Sequence, residues 1–289
     1  MKHPIDPKVD CVFKALLGSE ENRNLLIHFL NAVLGAGLGS PIVEVEILNP
    51  YNEREFLDDK LSIVDVKAKD GDGRQFQAEV QLEVHAHLSR RIAYTWCDMH
   101  ASQLRAGQDY RLLRPTYAIW LLAGSLFRDD SRHVRDFRLR DAGGGALEDE
   151  GGIWVLELGK FRAGRIEHED QRWFKFFKDG GGLDDAALPD WMETPEMRQA
   201  MNTLKRFSEK ERDYHLYQAR MNYLREQSAI RGDMEALERS LAEERAAKEA
   251  ALAEQERERA AKEAALAEQA AALAEIERLK ALLAGRSQP

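Results

Sequence analysis

The sequence predicts an α/β protein in which helices flank a mixed sheet and a long helix follows at the C-terminus. Residues 61–84 alternate apolar and polar positions on either side of the turn Asp70-Gly71-Asp72-Gly73, which predicts a β-hairpin. Residues 115–123 are almost wholly apolar, as expected of a strand buried on both faces. From residue 233 the chain is rich in Ala, Glu, Arg, Lys and Leu, with neither Pro nor Gly before Gly285, which predicts one long helix.

The other elements follow from the spacing of apolar residues along the chain. We expect one or two helices at 8–34, a strand at 42–48, the hairpin strands, a helix at 87–107, and strands at 115–123, 134–139 and 153–158. The order helix, three strands, helix, strand is typical of a mixed sheet with helices on its faces. Arg90 and Arg91 lie near the start of the helix at 87–107, where the helix dipole disfavours positive charge. Such a pair either points at an anion or is simply solvated.

The C-terminal half divides into three regions. Four aromatic residues lie close together, and they predict core packing more readily than a platform for stacking bases: Trp173, Phe174, Phe176 and Phe177. Residues 195–227 predict a helical extension that is basic in places, with nucleic-acid contact as the less favoured alternative. We therefore expect an α/β domain at 1–180, a helical extension at 181–232 and an Ala/Glu-rich helix at 233–289.

The last region contains an internal repeat. The segment RAAKEAALAEQ occurs at 245–255 and again at 259–269, a shift of two heptads. The best hydrophobic seam consists of Leu266, Leu273, Ile276 and Leu283. Because alanine dilutes this seam, a weak coiled coil and a solvated single helix both remain open. We expect the helix to extend away from the main domain and, if it pairs, to form a homodimer through this seam.

Composition excludes several classes of protein. The net charge of −9 argues against a protein that binds polyanions through bulk charge, so any nucleic-acid surface must be a local patch. No apolar run is long enough to span a membrane, and the N-terminus does not resemble a secretory signal. Cys11 and Cys97 fit neither a disulfide framework nor a zinc-ligand spacing. We therefore expect a cytoplasmic protein with no membrane partner.

The hairpin carries the strongest functional signal. If the apolar residues of both strands share one face, the register places Asp65 opposite or nearly opposite Glu79. Carboxylates that oppose each other on adjacent strands repel, which a bound cation would offset. Mg²⁺ or Mn²⁺ suits such oxygen ligands, and Gln81, two residues after Glu79, projects from the same strand face. The alternative is that Asp65 and Glu79 merely occupy a solvent face, and Asp10 and Lys14 likewise fit a solvated salt bridge.

The spacing Asp65…Glu79-Val80-Gln81, on consecutive strands after a helix and a strand, resembles the PD-(D/E)XK nuclease superfamily. In particular it resembles the Rpn family of recombination-promoting nucleases and transposases. Further matching segments are Asp10-x-x-Phe13-Lys14, Asn49-Pro50, Arg91-x-x-Tyr94 and Gly107-x-x-Tyr110-x-x-Leu113-x-Pro115. The resemblance covers about residues 5–175 and excludes the low-complexity C-terminus.

This resemblance implies a restriction-endonuclease-like fold in which Asp65 and Glu79 bind Mg²⁺ (or Mn²⁺) and act with Gln81 in catalysis. It also makes Asp10 a candidate additional acid. Gln81 stands where the superfamily has a lysine, so Lys67 or Lys14 is a candidate replacement for the missing charge. Val64 stands where the superfamily has a proline.

The function expected from the resemblance is a metal-dependent DNA endonuclease, related to recombination-promoting nucleases or transposases. The alternative is a catalytically decayed protein that binds DNA or assembles through its coiled-coil tail, because fold alone does not imply activity.

Overall fold

The computed structural model describes residues 1–48, 66–128, 130–147, 151–184 and 186–285 of the chain. The helices are α1 (Asp10–Leu17), α2 (Arg23–Leu34), α3 (Leu88–Ala101), α4 (Glu169–Asp179), α5 (Pro195–Glu209) and α6 (Glu211–Gly285). The strands are β1 (Val45–Ile47), β2 (Val66–Asp70), β3 (Gln75–Gln81), β4 (Thr116–Leu122), β5 (Val134–Phe137) and β6 (Gly151–Glu157). Within these ranges the strands form one six-stranded sheet in the order β1-β2-β3-β4-β6-β5.

The sheet is mixed, as the sequence predicts. The pairs β1–β2, β2–β3 and β5–β6 are antiparallel, whereas β3–β4 and β4–β6 are parallel. The antiparallel pairs therefore lie at the edges, and the parallel strands lie at the centre, where every residue of β4 is buried. The predicted fold class is confirmed: a mixed sheet with flanking helices and a long C-terminal helix.

Within the described residues, the predicted hairpin is present. Strands β2 and β3 pair with Val66 opposite Ala78 and Ala68 opposite Phe76, and these four apolar side chains are buried. The turn between the strands places Gly73 at a φ of +82°, in the left-handed region that glycine adopts without strain. The first strand of the hairpin was predicted to begin at residue 61, and residues 61–65, including Asp65, lie outside the described residues.

Helix α3 covers one face of the central strands. Its Leu88 and Ile92 form a buried cluster with four sheet residues, namely Ala118, Trp120, Leu122 and Val155. The helix is shorter than predicted and ends at Ala101 rather than near residue 107. The chain then leaves the helix through turns, and Gly107 has a φ of +83°, which helical backbone does not allow.

Helices α1, α2 and α4 pack against one another around an aromatic cluster. Trp173, Phe174, Phe176 and Phe177 of α4 are buried, which confirms the predicted core role of this segment. The ring of Phe177 lies 5.6 Å from that of Phe13 on α1 and 6.0 Å from that of Phe29 on α2. Aromatic contacts therefore join α1, α2 and α4 in one helical layer.

Residues 1–222 and 223–289 form two compact units. Helix α6 begins in the first unit and runs without interruption through Gly232, where the sequence suggested a boundary. One glycine inside a long helix costs about 1 kcal/mol relative to alanine, too little to end it. In the second unit the seam residues Leu266, Leu273 and Ile276 are 66%, 57% and 48% exposed. No helix in the described ranges has the length and apolarity to cross a membrane.

The stability of the first unit should depend on pH through His133. Its ring packs edge-on against Phe161 and Phe174, at 5.3 Å and 5.4 Å between centroids. Burial lowers the pKa of His133 below its ordinary value of 6.5, and the negative charge of Asp170 only partly opposes this effect. The unfolded chain therefore binds the proton more readily, so this contribution to stability is complete above pH 6.5 and is lost as the pH falls.

We expect His133→Phe to lose less stability than the wild type when the pH falls from about 7 to about 5. Urea unfolding followed by tryptophan fluorescence at both pH values measures the difference. The exposed His87, changed to Gln, is the matched control and should keep the wild-type pH dependence. An identical pH dependence for His133→Phe and the wild type would contradict the prediction.

Candidate active site

Glu79 lies on the sheet face that α3 covers. In the parallel ladder it is level with Trp120, which belongs to the cluster beneath Leu88 and Ile92 of α3. The residue is only 5% exposed. The interpretation of Glu79 as a residue of a solvent face is therefore wrong: side chains on this face alternate as predicted, but a helix packs over them.

The far end of α3 is fixed by hydrogen bonds to the start of β4. Trp96 Nε1 donates to the carbonyl oxygen of Thr116 at 2.9 Å, and His100 Nδ1 lies 3.0 Å from Thr116 Oγ1. Leu88 and Ile92 pack near the other end of the same strand. Because α3 is anchored at both ends, its first turn is held against β4 and β6, from where the side chain of Arg91 reaches Glu79 on β3.

The carboxylate of Glu79 has a partner on each oxygen. Its Oε1 accepts a hydrogen bond from Gln77 Nε2 at 2.9 Å, and its Oε2 accepts one from Arg91 Nη2 at 3.0 Å. A buried carboxylate without a compensating charge would be strongly disfavoured. The guanidinium of Arg91 supplies such a compensating charge beside Glu79.

Arg91 also contacts Gln81, the last residue of the E-x-Q segment. Its Nη1 lies 3.3 Å from Gln81 Oε1, while Gln81 Nε2 donates to the carbonyl oxygen of Glu83 at 2.9 Å. The guanidinium carbon lies 5.2 Å from the centre of the Trp120 ring, within the range of a cation–π interaction. Arg91 thus bridges Glu79 and Gln81 above an aromatic ring.

Sequence reasoning did not include Arg91 among the candidate site residues. Two signals were available: Arg90-Arg91 at the start of a helix, for which one of the two interpretations is a nearby anion, and the segment Arg91-x-x-Tyr94, which resembles the nuclease family. For Arg91 the anion is Glu79, whereas the side chain of Arg90 is exposed.

Lys67 shares the sheet face of Glu79. It lies opposite Gln77 in the β2–β3 ladder, whereas its neighbour Val66 points to the other face. The structure thus brings Lys67, Glu79 and Gln81 to one face of the hairpin.

Lys14 and Asp10 have their described contacts elsewhere. The stem of Lys14 lies beside Val66, because both side chains approach within 3.2 Å of the position that a Cβ on Gly18 would take. Asp10 begins α1 and pairs with Arg220 of α6, and its Oδ1 also accepts the Cys11 amide at 2.7 Å. Asp10 is therefore paired with an arginine distant in sequence rather than with Lys14.

The two cysteines do not offer a nucleophile at this site. Cys11 is buried, and its burial raises the pKa of the thiol, an effect to which the charge of Asp10 adds and which that of Arg220 opposes. A thiol with a raised pKa stays protonated and unreactive near neutral pH. Cys97 is exposed on α3 and is also a free thiol.

The groups around Glu79 provide oxygen atoms that suit a hard divalent cation. In the described part of the chain, Gln77 Oε1 is buried without a hydrogen-bond partner, and it belongs to the amide that donates to Glu79. Carboxylate and amide oxygens are the protein ligands that Mg²⁺ and Mn²⁺ prefer. Among the described residues, no group of three or more His, Cys, Asp or Glu side chains forms a metal cluster. Asp65, the second predicted ligand, is outside them.

Glu79 is thus a buried residue on the third strand of a mixed sheet, beneath α3 and two residues before Gln81. Residues 7–232 match the model of a family described as PD-(D/E)XK nuclease family transposase. The match covers more than half of the 289 residues, so the chain belongs to this family. No curated protein and no solved structure matches the chain.

Proposed function

We propose that this protein is a DNA endonuclease that hydrolyses phosphodiester bonds with the help of Mg²⁺ or Mn²⁺. The observation that carries the proposal is Glu79: a carboxylate that is 5% exposed, paired with Arg91 and placed two residues before Gln81 on a central strand. A buried charge of this kind lowers stability unless it is compensated, so functional sites are where such charges concentrate. Membership of a nuclease family supports the same interpretation.

Asp65 is the proposed second ligand of the metal ion. The last described pair of the β2–β3 ladder is Val66 opposite Ala78. One further pair in the same register would be Asp65 opposite Glu79, on the face that α3 covers. We propose that the ladder continues in this way and that the two carboxylates share the ion.

The chain's own residues then have separate tasks. Asp65 and Glu79 would hold the ion, and the amide of Gln81 would orient a water molecule by hydrogen bonding. The ion, when bound, lowers the pKa of a coordinated water and neutralises charge that develops on the phosphate. Asp10, Lys14 and Lys67 remain proposed additional residues, of which Lys67 has the most suitable position because it shares the face of Glu79.

The experiment that tests this function is nicking of supercoiled plasmid DNA by the purified full-length protein. We expect cleavage in the presence of Mg²⁺ or Mn²⁺ and none in EDTA. The Glu79→Gln variant, prepared in parallel, excludes a contaminating nuclease if it is inactive. Equal nicking by wild type and variant, or no nicking with either ion, would contradict the proposed function.

One observation favours the decayed DNA-binding or assembly protein as the second candidate. Gln81 carries no charge, and Glu79 is already paired with Arg91, so the acid is compensated without a metal. In that case DNA binding would persist while cleavage is absent with every divalent cation. A reducing location such as the cytoplasm is part of either proposal and fits two free thiols.

We also propose that the protein forms a weak homodimer through the C-terminal helix. The seam of Leu266, Leu273, Ile276 and Leu283 supplies the apolar side chains, and its first three members are exposed in the single chain. Alanine fills much of the remaining helix surface, so pairing should be weak and depend on concentration.

Sedimentation of the full chain and of a chain ending after Gly232 tests the dimer. The shortened chain keeps the compact unit of residues 1–222. We expect a monomer–dimer equilibrium for the full chain and a monomer for the shortened one. Leu266→Ser with Leu273→Ser in the full chain is the second variant and should also be monomeric. If all forms have one oligomeric state, the helix is a spacer.

A further inference from the structure

The site contains a positive charge that comes from a different structural element than the lysine of the superfamily signature. Lysine normally stands at the position of Gln81, and an uncharged amide cannot take over its electrostatic role. Arg91 brings its guanidinium to within hydrogen-bond distance of that amide, with Nη1 3.3 Å from Gln81 Oε1. A positive charge therefore lies at the end of the Gln81 side chain, although it comes from α3 and not from β3.

We propose that Arg91 replaces the missing lysine: its guanidinium compensates Glu79 before the metal ion binds and contacts the phosphate of the substrate afterwards. This inference rests on the proposed nuclease function and assigns a phosphate-binding residue to it. This role requires a cationic group that is held in place, has N–H donors available for a phosphate and is accessible to solvent. Arg91 meets each of these requirements.

The guanidinium is fixed by three contacts. It bonds Glu79 and Gln81 through different nitrogens and lies over the ring of Trp120. The planar guanidinium can hold both hydrogen bonds and the ring contact at once, which an ammonium group cannot do in the same way. If the carboxylate of Glu79 binds a metal ion instead of Arg91, the contacts with Gln81 and Trp120 would still hold Arg91 at the site.

Donors remain available for a ligand. Arginine has five N–H donors, and the described contacts of Arg91 use one on each of two nitrogens. Its side chain is 47% exposed, whereas that of Glu79 is only 7% exposed. The inner side of the guanidinium thus faces the carboxylate, and the outer side can meet a phosphate, for which a fork of N–H donors is well suited.

The two lysines considered from the sequence are less suitable. The stem of Lys14 lies beside Val66, which points to the sheet face opposite to that of Glu79. Lys67 shares the correct face, but it lies opposite Gln77, two residues before Glu79 along β3. Arg91, by contrast, donates hydrogen bonds to both Glu79 and Gln81.

The test compares Arg91→Gln, Arg91→Lys and the double variant Arg91→Gln with Gln81→Lys. Arg90→Gln is the matched control, because Arg90 is the exposed neighbour on the same helix turn. We expect Arg91→Gln to lower the rate of plasmid nicking by about 100-fold, the cost of losing a donor that stabilises developing charge. The double variant should nick at least about tenfold faster than Arg91→Gln, because Gln81→Lys restores a charge at the superfamily position. Arg90→Gln should nick like the wild type.

A second measurement does not depend on activity. Arg91 competes with a cation for the carboxylate of Glu79. Mn²⁺ should therefore bind Arg91→Gln about fivefold more tightly than the wild type in calorimetric titration without DNA. Arg91→Lys, which keeps a charge, should lie between the two. If Arg91 only stabilises the fold, these substitutions change the melting temperature, and Mn²⁺ binds the wild type and both variants with the same affinity. If Arg91→Gln does not fold, the nicking rates and Mn²⁺ affinities of Arg91→Lys and of the double variant test the proposal instead.

The outcomes separate this inference from the proposed function. If the wild type nicks DNA and Arg91→Gln nicks equally well, Arg91 is not the replacement, although the nuclease function stands. If the double variant recovers nothing and Mn²⁺ affinity does not change, the inference is also overturned. If the wild type nicks no DNA, the nuclease function fails, and the Mn²⁺ titration alone decides whether Arg91 is the compensating charge.

Discussion

Asp65→Ala and Glu79→Gln should each reduce metal-dependent nicking of plasmid DNA by at least about 100-fold, because each removes a proposed carboxylate ligand of the ion. Glutamine has nearly the shape of glutamate and can still accept a hydrogen bond from Arg91. The substitution therefore removes the charge with little change in packing. Initial rates of nicking in Mg²⁺ and in Mn²⁺ measure the effect.

The fold should survive these substitutions. Removal of one buried charge from the Arg91–Glu79 pair also removes the cost of its desolvation, so we expect stability to change by about 1 kcal/mol or less. Glu46→Gln is the matched control, because Glu46 is an exposed glutamate of β1 in the same sheet. It should nick like the wild type. Wild-type activity of Asp65→Ala would place the metal site elsewhere.

Phe177→Ala should destabilise the protein by about 3–5 kcal/mol, the usual cost of removing a buried phenylalanine ring. Phe177 is fully buried, and its ring contacts those of Phe13, Phe29, Trp173 and Phe176. These neighbours come from three helices, so the cavity cannot close by the movement of one side chain. The same substitution removes the aromatic contacts that join α1 and α2 to α4.

Urea unfolding followed by tryptophan fluorescence measures this loss in the first unit, since the five tryptophans precede residue 223. Phe137→Ala is the control, because Phe137 lies on the edge strand β5 and is 42% exposed. It should cost less than about 1.5 kcal/mol, because an exposed ring leaves no closed cavity. A loss of similar size for both variants would show that α4 does not form the core of the helical layer.

The sequence alone determined the elements whose signal is local. Alternation along 75–81 identified β3 and the face of Glu79, and the glycine-rich turn determined which residues of β2 and β3 pair. A one-residue shift would have turned Phe76 and Ala78 away from the core, so the hydrophobic pattern left one register. The Asp65…Glu79-Val80-Gln81 spacing, together with the further matching segments between residues 5 and 175, indicated the nuclease family.

Only the tertiary structure decided what surrounds the predicted glutamate. Periodicity shows which side of a strand is polar, but not whether a helix later packs over it, so a solvent face stayed open as the alternative for Glu79. Its ion pair with Arg91 depends on how α3 docks against β4, and the ion pair of Asp10 with Arg220 joins residues 210 positions apart. Local sequence does not encode such contacts, because they form only when separate elements bury their apolar faces together.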